Sequence, residues 1–330
     1  MHTKRRFRCI SRLIVRSLCA LPLLGSDANA AAAQNWPQRT VKLILPLGPG
    51  SGTDIGARLF ADRLAAHWSR PVVVENRPGA DGILAINAFI SADDDHTLLF
   101  APSGTFTVHP FVREKVPYDA RELVPIARVS NTIVGIAVPA SLEAGSLTEL
   151  VSLARAKPGK LNWSPTSGMT DIVTSAFFKS AKLDVAKVPY RDSVQGLNDL
   201  IDNRLQIYVT ALAIVRSQAE AGKVKVLALT NRDRAAIFPN VPTAIEAGFP
   251  ALTLEGLVGL FGPRRISSEL RERIANDMRT VGGNPGVAAR LEATGQVMNL
   301  GSPSEFNASI EEQRERVATA AKDLGIKAAP

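Results

Sequence analysis

Val41-Lys42-Leu43-Ile44-Leu45-Pro46-Leu47-Gly48-Pro49-Gly50-Ser51-Gly52-Thr53-Asp54 joins a strand to a helix through a turn. The apolar run Val41 to Pro46 reads as a buried strand, and the Gly/Pro/Ser run from Gly48 to Gly52 ends it. Thr53 or Asp54 then caps a helix reaching about Trp68, with Ile55, Leu59, Phe60, Leu64 and Trp68 near one face. Beyond it, Pro71 to Glu75 is a second, β-branched strand. Asn76-Arg77-Pro78-Gly79 turns into a helix over about Gly82 to Ser91, and Thr97 to Ala101 is a third strand. Strand and helix alternate, the mark of a parallel sheet with helices on its faces.

The middle repeats the pattern. Ile133 to Val138 reads as a strand. Ser146-Leu147-Thr148-Glu149 is a capping box that opens a helix ending near Lys157-Pro158-Gly159. Strands follow near Leu161 to Trp163, Val185 to Pro189, Gln206 to Thr210 and Val224 to Leu229. Helices lie between them near Thr170 to Ser180, Ser193 to Ile201 and Ile214 to Ala221. Leu254 to Phe261 is a last strand, before helices near Ser267 to Val281, Pro285 to Thr294 and Pro303 to Leu324. The expected fold is α/β in two lobes, each a mostly parallel sheet flanked by helices, with the chain crossing twice. The first lobe takes 31–132 and 231–330, the second 133–230.

Residues 1–30 carry the basic cluster Lys4, Arg5, Arg6 and Arg8, an apolar stretch from about Leu13 to Leu24, and Ala28-Asn29-Ala30. This is the pattern of a cleaved signal peptide, so the mature chain is expected to be exported. The leader holds six of the 39 basic and one of the 31 acidic residues, leaving 33 against 30. So small an excess argues against nucleic acid as a partner. Both cysteines, Cys9 and Cys19, lie in the leader, so the mature chain has neither disulfides nor thiolate metal sites. The residues before Cys19 lack the usual lipoprotein pattern. The roughly 300 residues that follow suit two domains.

Enzyme signatures are weak. His67, His96 and His109 stand in no metal-ligand spacing, and Asp93-Asp94-Asp95 reads as a solvated loop. The Gly48–Gly52 loop admits three readings. A dinucleotide fingerprint also follows a strand and opens a helix, and Glu75 stands where a ribose-binding acid would. The spacing here is G-x-G-x-G, however, with Thr53 where the last glycine belongs. The second reading is a turn without ligand. The third is an anion cradle, in which backbone N–H groups and the helix's positive end converge on a small carboxylate. A similar loop, Trp163 to Asp171, again joins strand to helix, and Ser103-Gly104-Thr105 follows the third strand. Ligands of open α/β sheets gather at such strand ends.

Several stretches together resemble one family. They are Trp36-Pro37 with Val41 to Asp54, the run from Pro71 through Val74-Glu75-Asn76-Arg77-Pro78-Gly79 to Ala80, Pro117-Tyr118-Asp119, Ala156 to Asn162, Val188-Pro189-Tyr190, Ala221-Gly222-Lys223, and Val241-Pro242-Thr243 through Glu246-Ala247-Gly248. The chain resembles the Bug (Bordetella uptake gene) or TctC family of extracytoplasmic solute receptors. The resemblance implies a type II-like periplasmic-binding-protein fold, a small carboxylated ligand, no catalysis and no cofactor. Its implied partners are membrane transporter subunits or a sensor kinase, and it implies a monomer.

The residues expected at the ligand are Leu47, Gly50, Ser51, Gly52, Thr53 and Asp54, then Ser103, Gly104 and Thr105. Across the cleft stand Thr166, Ser167, Gly168, Thr170, Asp171, Tyr190 and Thr210. Departures from the family pattern are Leu47 for an aromatic, Gly48 for proline, Asp171 for serine, Ile172 for histidine and Thr210 for aspartate. An added acid at Asp171 would repel a second carboxylate unless its charge is offset. The expectation from sequence is therefore a ligand with one carboxylate and an amino, amide or apolar group. A nucleotide-dependent oxidoreductase using the Gly48–Gly52 loop is the alternative.

Overall fold

The computed structural model describes residues 36–190 and 192–329; the expected signal peptide lies outside them. The chain opens with β1 (Val41–Leu45), α1 (Gly52–Trp68), β2 (Val72–Asn76), α2 (Ile83–Ala92) and β3 (Thr97–Pro102). The short helices α3 (Gly104–Thr107) and α4 (His109–Val112) follow, then β4 (Val124–Thr132) and β5 (Val134–Pro139). Next come α5 (Leu147–Ala156), β6 (Leu161–Pro165), α6 (Gly168–Ser180), β7 (Val185–Lys187), α7 (Ser193–Ile201), β8 (Ile207–Ala211), α8 (Leu212–Glu220) and β9 (Val224–Leu229). The chain closes with β10 (Gly256–Gly262), α9 (Ser268–Gly282), α10 (Pro285–Ala293), β11 (Gln296–Gly301) and α11 (Pro303–Leu324). Among the described residues, no helix is long and apolar enough to cross a membrane.

The strands form two sheets, ordered β11-β4-β10-β3-β1-β2 and β7-β6-β8-β5-β9. Both are mixed, which corrects the mostly parallel expectation. β1 runs parallel to β2 and β3, and β6 runs parallel to β7 and β8. Strands that arrive from the other sheet enter antiparallel, as β10 beside β3 and β5 beside β8. A strand entering from the opposite side of the gap can add to a sheet only in that sense. β4 and β11 were not expected from sequence. β4 carries Pro125, Arg128, Ser130 and Asn131, and its burial does not alternate.

The caps show why the helices start where they do. Ser146 accepts the Glu149 N–H at 3.1 Å, while the Glu149 carboxylate takes the N–H of Gly145 rather than that of Ser146. Ser302 and Glu305 complete a reciprocal capping box with Pro303 in the first turn. α11 ends at Gly325, in the left-handed region at φ 80°.

Each sheet is covered on both faces. Leu43, Leu45, Phe100, Val258 and Leu260 pack under α1, α9 and α10, and Ile44, Leu99 and Phe261 pack under α2 and α11, the latter through Phe306 and Ile310. The second sheet buries Trp163, Phe177 and Phe178 on one side, and Tyr208, Leu212 and Val215 on the other. A further apolar cluster spans the two halves. Met169, Ile172, Val173 and Ala176 of α6 meet Val317, Ala320 and Ala321 of α11.

The chain crosses at Ile133 and returns after β9. Asn231 ties the crossings together, its Oδ1 accepting from Val134 N at 3.0 Å and its Nδ2 donating to the Thr132 carbonyl at 3.0 Å.

Candidate functional site

The loop between β1 and α1 is held from below by one carboxylate. Ser51 caps α1, its Oγ accepting the Asp54 N–H at 3.2 Å. Asp54 is 2% exposed and turns back under the loop. Its Oδ2 accepts the Gly50 N–H at 2.9 Å, its Oδ1 accepts Asn76 Nδ2 at 2.8 Å, and Arg58 pairs with it at 3.1 Å. Asn76 also donates to the Leu47 carbonyl at 2.9 Å. Burial pushes the Asp54 carboxyl up, but the Gly50 N–H, Arg58 and Asn76 outweigh it and hold the carboxyl below the ordinary aspartate value. Asp54 is thus a brace, with its charge spent on Arg58. Gly50, at φ 82°, has open space above it.

With the Asp54 N–H capped and the Ile55 N–H on the Ser51 carbonyl at 2.9 Å, the first turn of α1 keeps two unclaimed donors. They are the N–H groups of Gly52 and Thr53. A Cβ at Gly52 would meet the Thr294 carbonyl and Gln296 Nε2, each at 3.0 Å. Glycine therefore lets this helix end close on the start of β11. Next to it, a Cβ on Gly295 would lie 3.0 Å from the backbone N of Ala213, in the first turn of α8. That helix has no side-chain cap, since Ala211 is its N-cap residue. The Leu212 N–H bonds the Ile133 carbonyl at 2.8 Å, leaving those of Ala213 and Ile214 open.

α6 borders the gap from the other flank. Ser167 and Thr170 cap it reciprocally, and Thr166 donates its N–H to the Val209 carbonyl at 3.2 Å. The N–H groups of Gly168 and Met169 remain. A Cβ at Gly104 would meet Met169 Cε at 3.0 Å, and one at Gly168 would meet Val108 at 3.2 Å, so this helix end docks on α3 and α4. Three helix N-termini thus border the gap between the sheets, at the carboxyl ends of β1, β6 and β8. Their partial positive charges and open donors suit an anion.

Other expected residues serve the frame. Ser103 is fully buried and donates to Gln313 Oε1 at 2.7 Å. The Thr105 side chain fills the space over Gly82 next to Pro46. The Tyr190 hydroxyl donates to Asp199 at 2.7 Å; burial and that bond push the phenol up to about 12. Thr210, next to last in β8, is fully buried, its Oγ1 without a hydrogen-bond partner in good geometry. Asp171, the acid that sets this loop apart, pairs with Lys187 Nζ at 3.0 Å and accepts Ser175 Oγ at 3.0 Å. Its charge is offset from the exposed strand β7. Replacing Lys187 with methionine is expected to weaken the binding of an anion in the gap about threefold to tenfold, given the modest worth of half-exposed pairs. Adding Asp171→Asn should restore it, and calorimetry on the double-mutant cycle checks this.

Sequence reasoning missed Gly295, Gln296 and the α8 terminus. The glycine directly after the helix expected to end at Thr294 was the signal available for the first, and Gly295 indeed stands in the left-handed region at φ 74°. α8 offers none, lacking a capping residue. Among the described residues, Asp94, Asp95 and His96 are the one group spaced for a cation. Asp94 already pairs with Arg39 at 3.3 Å and Asp95 with His96 at 2.6 Å.

A family model described as tripartite tricarboxylate transporter family receptor, TctC, matches residues 56–326. A UPF0065 protein of Bordetella bronchiseptica is 28% identical over 98% of this chain and 97% of its own. BugT of Bordetella pertussis is 25% identical over 95% of this chain and 99% of its own. Among solved structures, a periplasmic transporter is similar at TM-score 0.77, with 27% identity over 88% of this chain and 99% of its own. An R. palustris protein with adipate is similar at TM-score 0.76, with 27% identity over the same shares.

Proposed function

Because the chain belongs to the TctC family of tripartite tricarboxylate transporter receptors, we propose that it holds a short aliphatic dicarboxylate in the gap between its two sheets. The family and its structural neighbours are periplasmic binding proteins, not enzymes, and the chain is a periplasmic solute receptor. The observation that carries the ligand class is the trio of helix N-termini with unclaimed N–H groups, one from the first sheet and two from the second. One carboxylate sits on Gly52 and Thr53. The other sits across the gap on the α8 or α6 end. The expected preference for a single carboxylate rested on a free Asp171, and the Lys187 pair removes that reason. The adipate held by the R. palustris neighbour is of the proposed class.

The lobes divide where the sheets do, near residue 132, with residues 231–254 following the second sheet, because Ala244 and Leu252 pack in its core. Binding closes them by a hinge motion. The leader is removed on export, and the monomeric receptor hands its ligand to membrane transporter subunits rather than to a sensor kinase. The oxidoreductase alternative loses its footing with the family.

A thermal-shift panel tests the ligand class. A ligand at a hundredfold excess over its Kd adds about 2.7 kcal/mol, several degrees of melting temperature. Succinate or adipate should give that shift, and NAD none. A shift from NAD with none from any dicarboxylate would refute the proposal.

A further inference from the structure

Gln296 opens β11 and lies against α1 with 2% of its surface exposed. Glycines make room for it. A Cβ on Gly52 would sit 3.0 Å from Gln296 Nε2, and one on Gly56, a turn later, would sit 3.9 Å from Nε2 and 4.0 Å from Oε1. The amide thus rests along the Gly52–Gly56 face, with its nitrogen toward the first residue of the helix. The nearest other atoms at these two positions are the Thr294 carbonyl and a Leu291 methyl, both uncharged.

The two ends of the amide differ in their partners. Oε1 accepts the hydroxyl of Ser130, which is fully buried on the adjoining strand β4. Among the described residues, no atom accepts from Nε2. Nor is Nε2 sealed in. The side-chain atoms that are both unpartnered and closed off from the surface are Asn131 Oδ1, Thr210 Oγ1, Gln218 Oε1, Thr253 Oγ1 and Arg271 Nε, and Gln296 Nε2 is not among them. Buried donors are nearly always paired, so an open N–H on so buried a side chain calls for an acceptor from outside the protein.

Its position says which acceptor. A Cβ lies about 2.5 Å from its own backbone nitrogen, so Nε2 is within about 5.5 Å of the Gly52 nitrogen. One oxygen that accepts from two nitrogens at about 2.9 Å bridges up to about 5.8 Å, and a carboxylate offers two oxygens. A carboxylate on the Gly52 and Thr53 N–H groups is therefore within reach of Nε2 as well. We propose that Gln296 is a ligand-binding residue, the side-chain donor that joins those two N–H groups around one carboxylate. The inference rests on the dicarboxylate reading of the gap. It also gives Gly52 a second reason to be glycine, since a side chain there would push the amide away.

Calorimetry on the mature chain with adipate and succinate tests it. Gln296→Met keeps the length and removes the donor, and should weaken both ligands about tenfold. Gln296→Glu keeps the shape and the acceptor for Ser130, but sets a carboxylate where the donor was. At about pH 8 its affinity should fall at least about a hundredfold below wild type. That ratio should shrink towards about pH 5, because a buried glutamate facing an anion titrates high and its protonated form donates again. Dividing by wild type at each pH removes the ligands' own titration, and a purely structural role for Gln296 would leave the ratio flat. Gln296→Met within about twofold of wild type, or a flat ratio for Gln296→Glu, overturns this inference alone. Absence of binding of both ligands to wild type overturns the dicarboxylate reading and this inference with it.

Discussion

Replacing Asp54 with alanine is expected to cost about 2–4 kcal/mol of stability and to weaken ligand binding by about ten- to a hundredfold. The carboxylate accepts from Gly50, Asn76 and Arg58 at once. Without it the Gly50 N–H and Asn76 amide lose their partner and the loop loses the fixed shape that aims the Gly52 and Thr53 donors. Arg58 is half-exposed and recovers water, which keeps the cost below that of a fully buried pair. Asp54→Asn retains the volume but not the charge, and should fall between. The pH dependence has a definite sign. The folded carboxyl titrates below its ordinary 3.8, so its contribution is present above that value and is lost as pH falls through the lower folded one. The stability gap between wild type and Asp54→Asn should therefore be widest near neutrality and close in strong acid. Urea unfolding across that range checks it.

The second large effect concerns the first sheet. Phe306 is fully buried at the start of α11, its ring 5.1 Å from that of Phe261. A Cβ on Gly259 of β10 would overlap Phe306 Cε1 and Cζ and lie 2.6 Å from the Ala127 carbonyl. Phe306→Ala should cost about 3–5 kcal/mol, by lost transfer and the cavity left behind. Gly259→Ala should cost about 1–3 kcal/mol by overpacking. Combining Gly259→Ala with Phe306→Leu should cost less than the sum of the separate changes, because the smaller side chain makes room for the methyl. Equilibrium guanidinium unfolding measures all three. Ligand affinity at low temperature should hardly change, since Phe306 touches none of the gap's helix ends.

The β1–α1 unit and its parallel neighbours were legible because buried strands and capped helices leave strong local patterns. β4 was not. It lies between β10 and β11, and its side chains serve distant partners, Ser130 bonding Gln296 and Arg128 bonding Ser309. β11, with four successive half-exposed residues, offers no alternation to read. At the candidate site, the loops and their helix ends were visible from residue type. The direction of each side chain was not. Asp54 read as a ligand contact, whereas its aim depends on Asn76 and Arg58. Ser103 read the same way, yet its hydroxyl meets Gln313 far along the chain. The Asp171 charge read as free because Lys187 reaches it only through the pairing of β6 with β7.

The central claim is that the α1 N-terminus grips one carboxylate and the second sheet the other. A crystal structure of the mature chain with adipate tests it most directly. The account predicts one carboxylate within about 3 Å of the Gly52 and Thr53 N–H groups, and the other on the free N–H groups of α8 or α6. Adipate held elsewhere, with neither carboxylate on those helix ends, would contradict it.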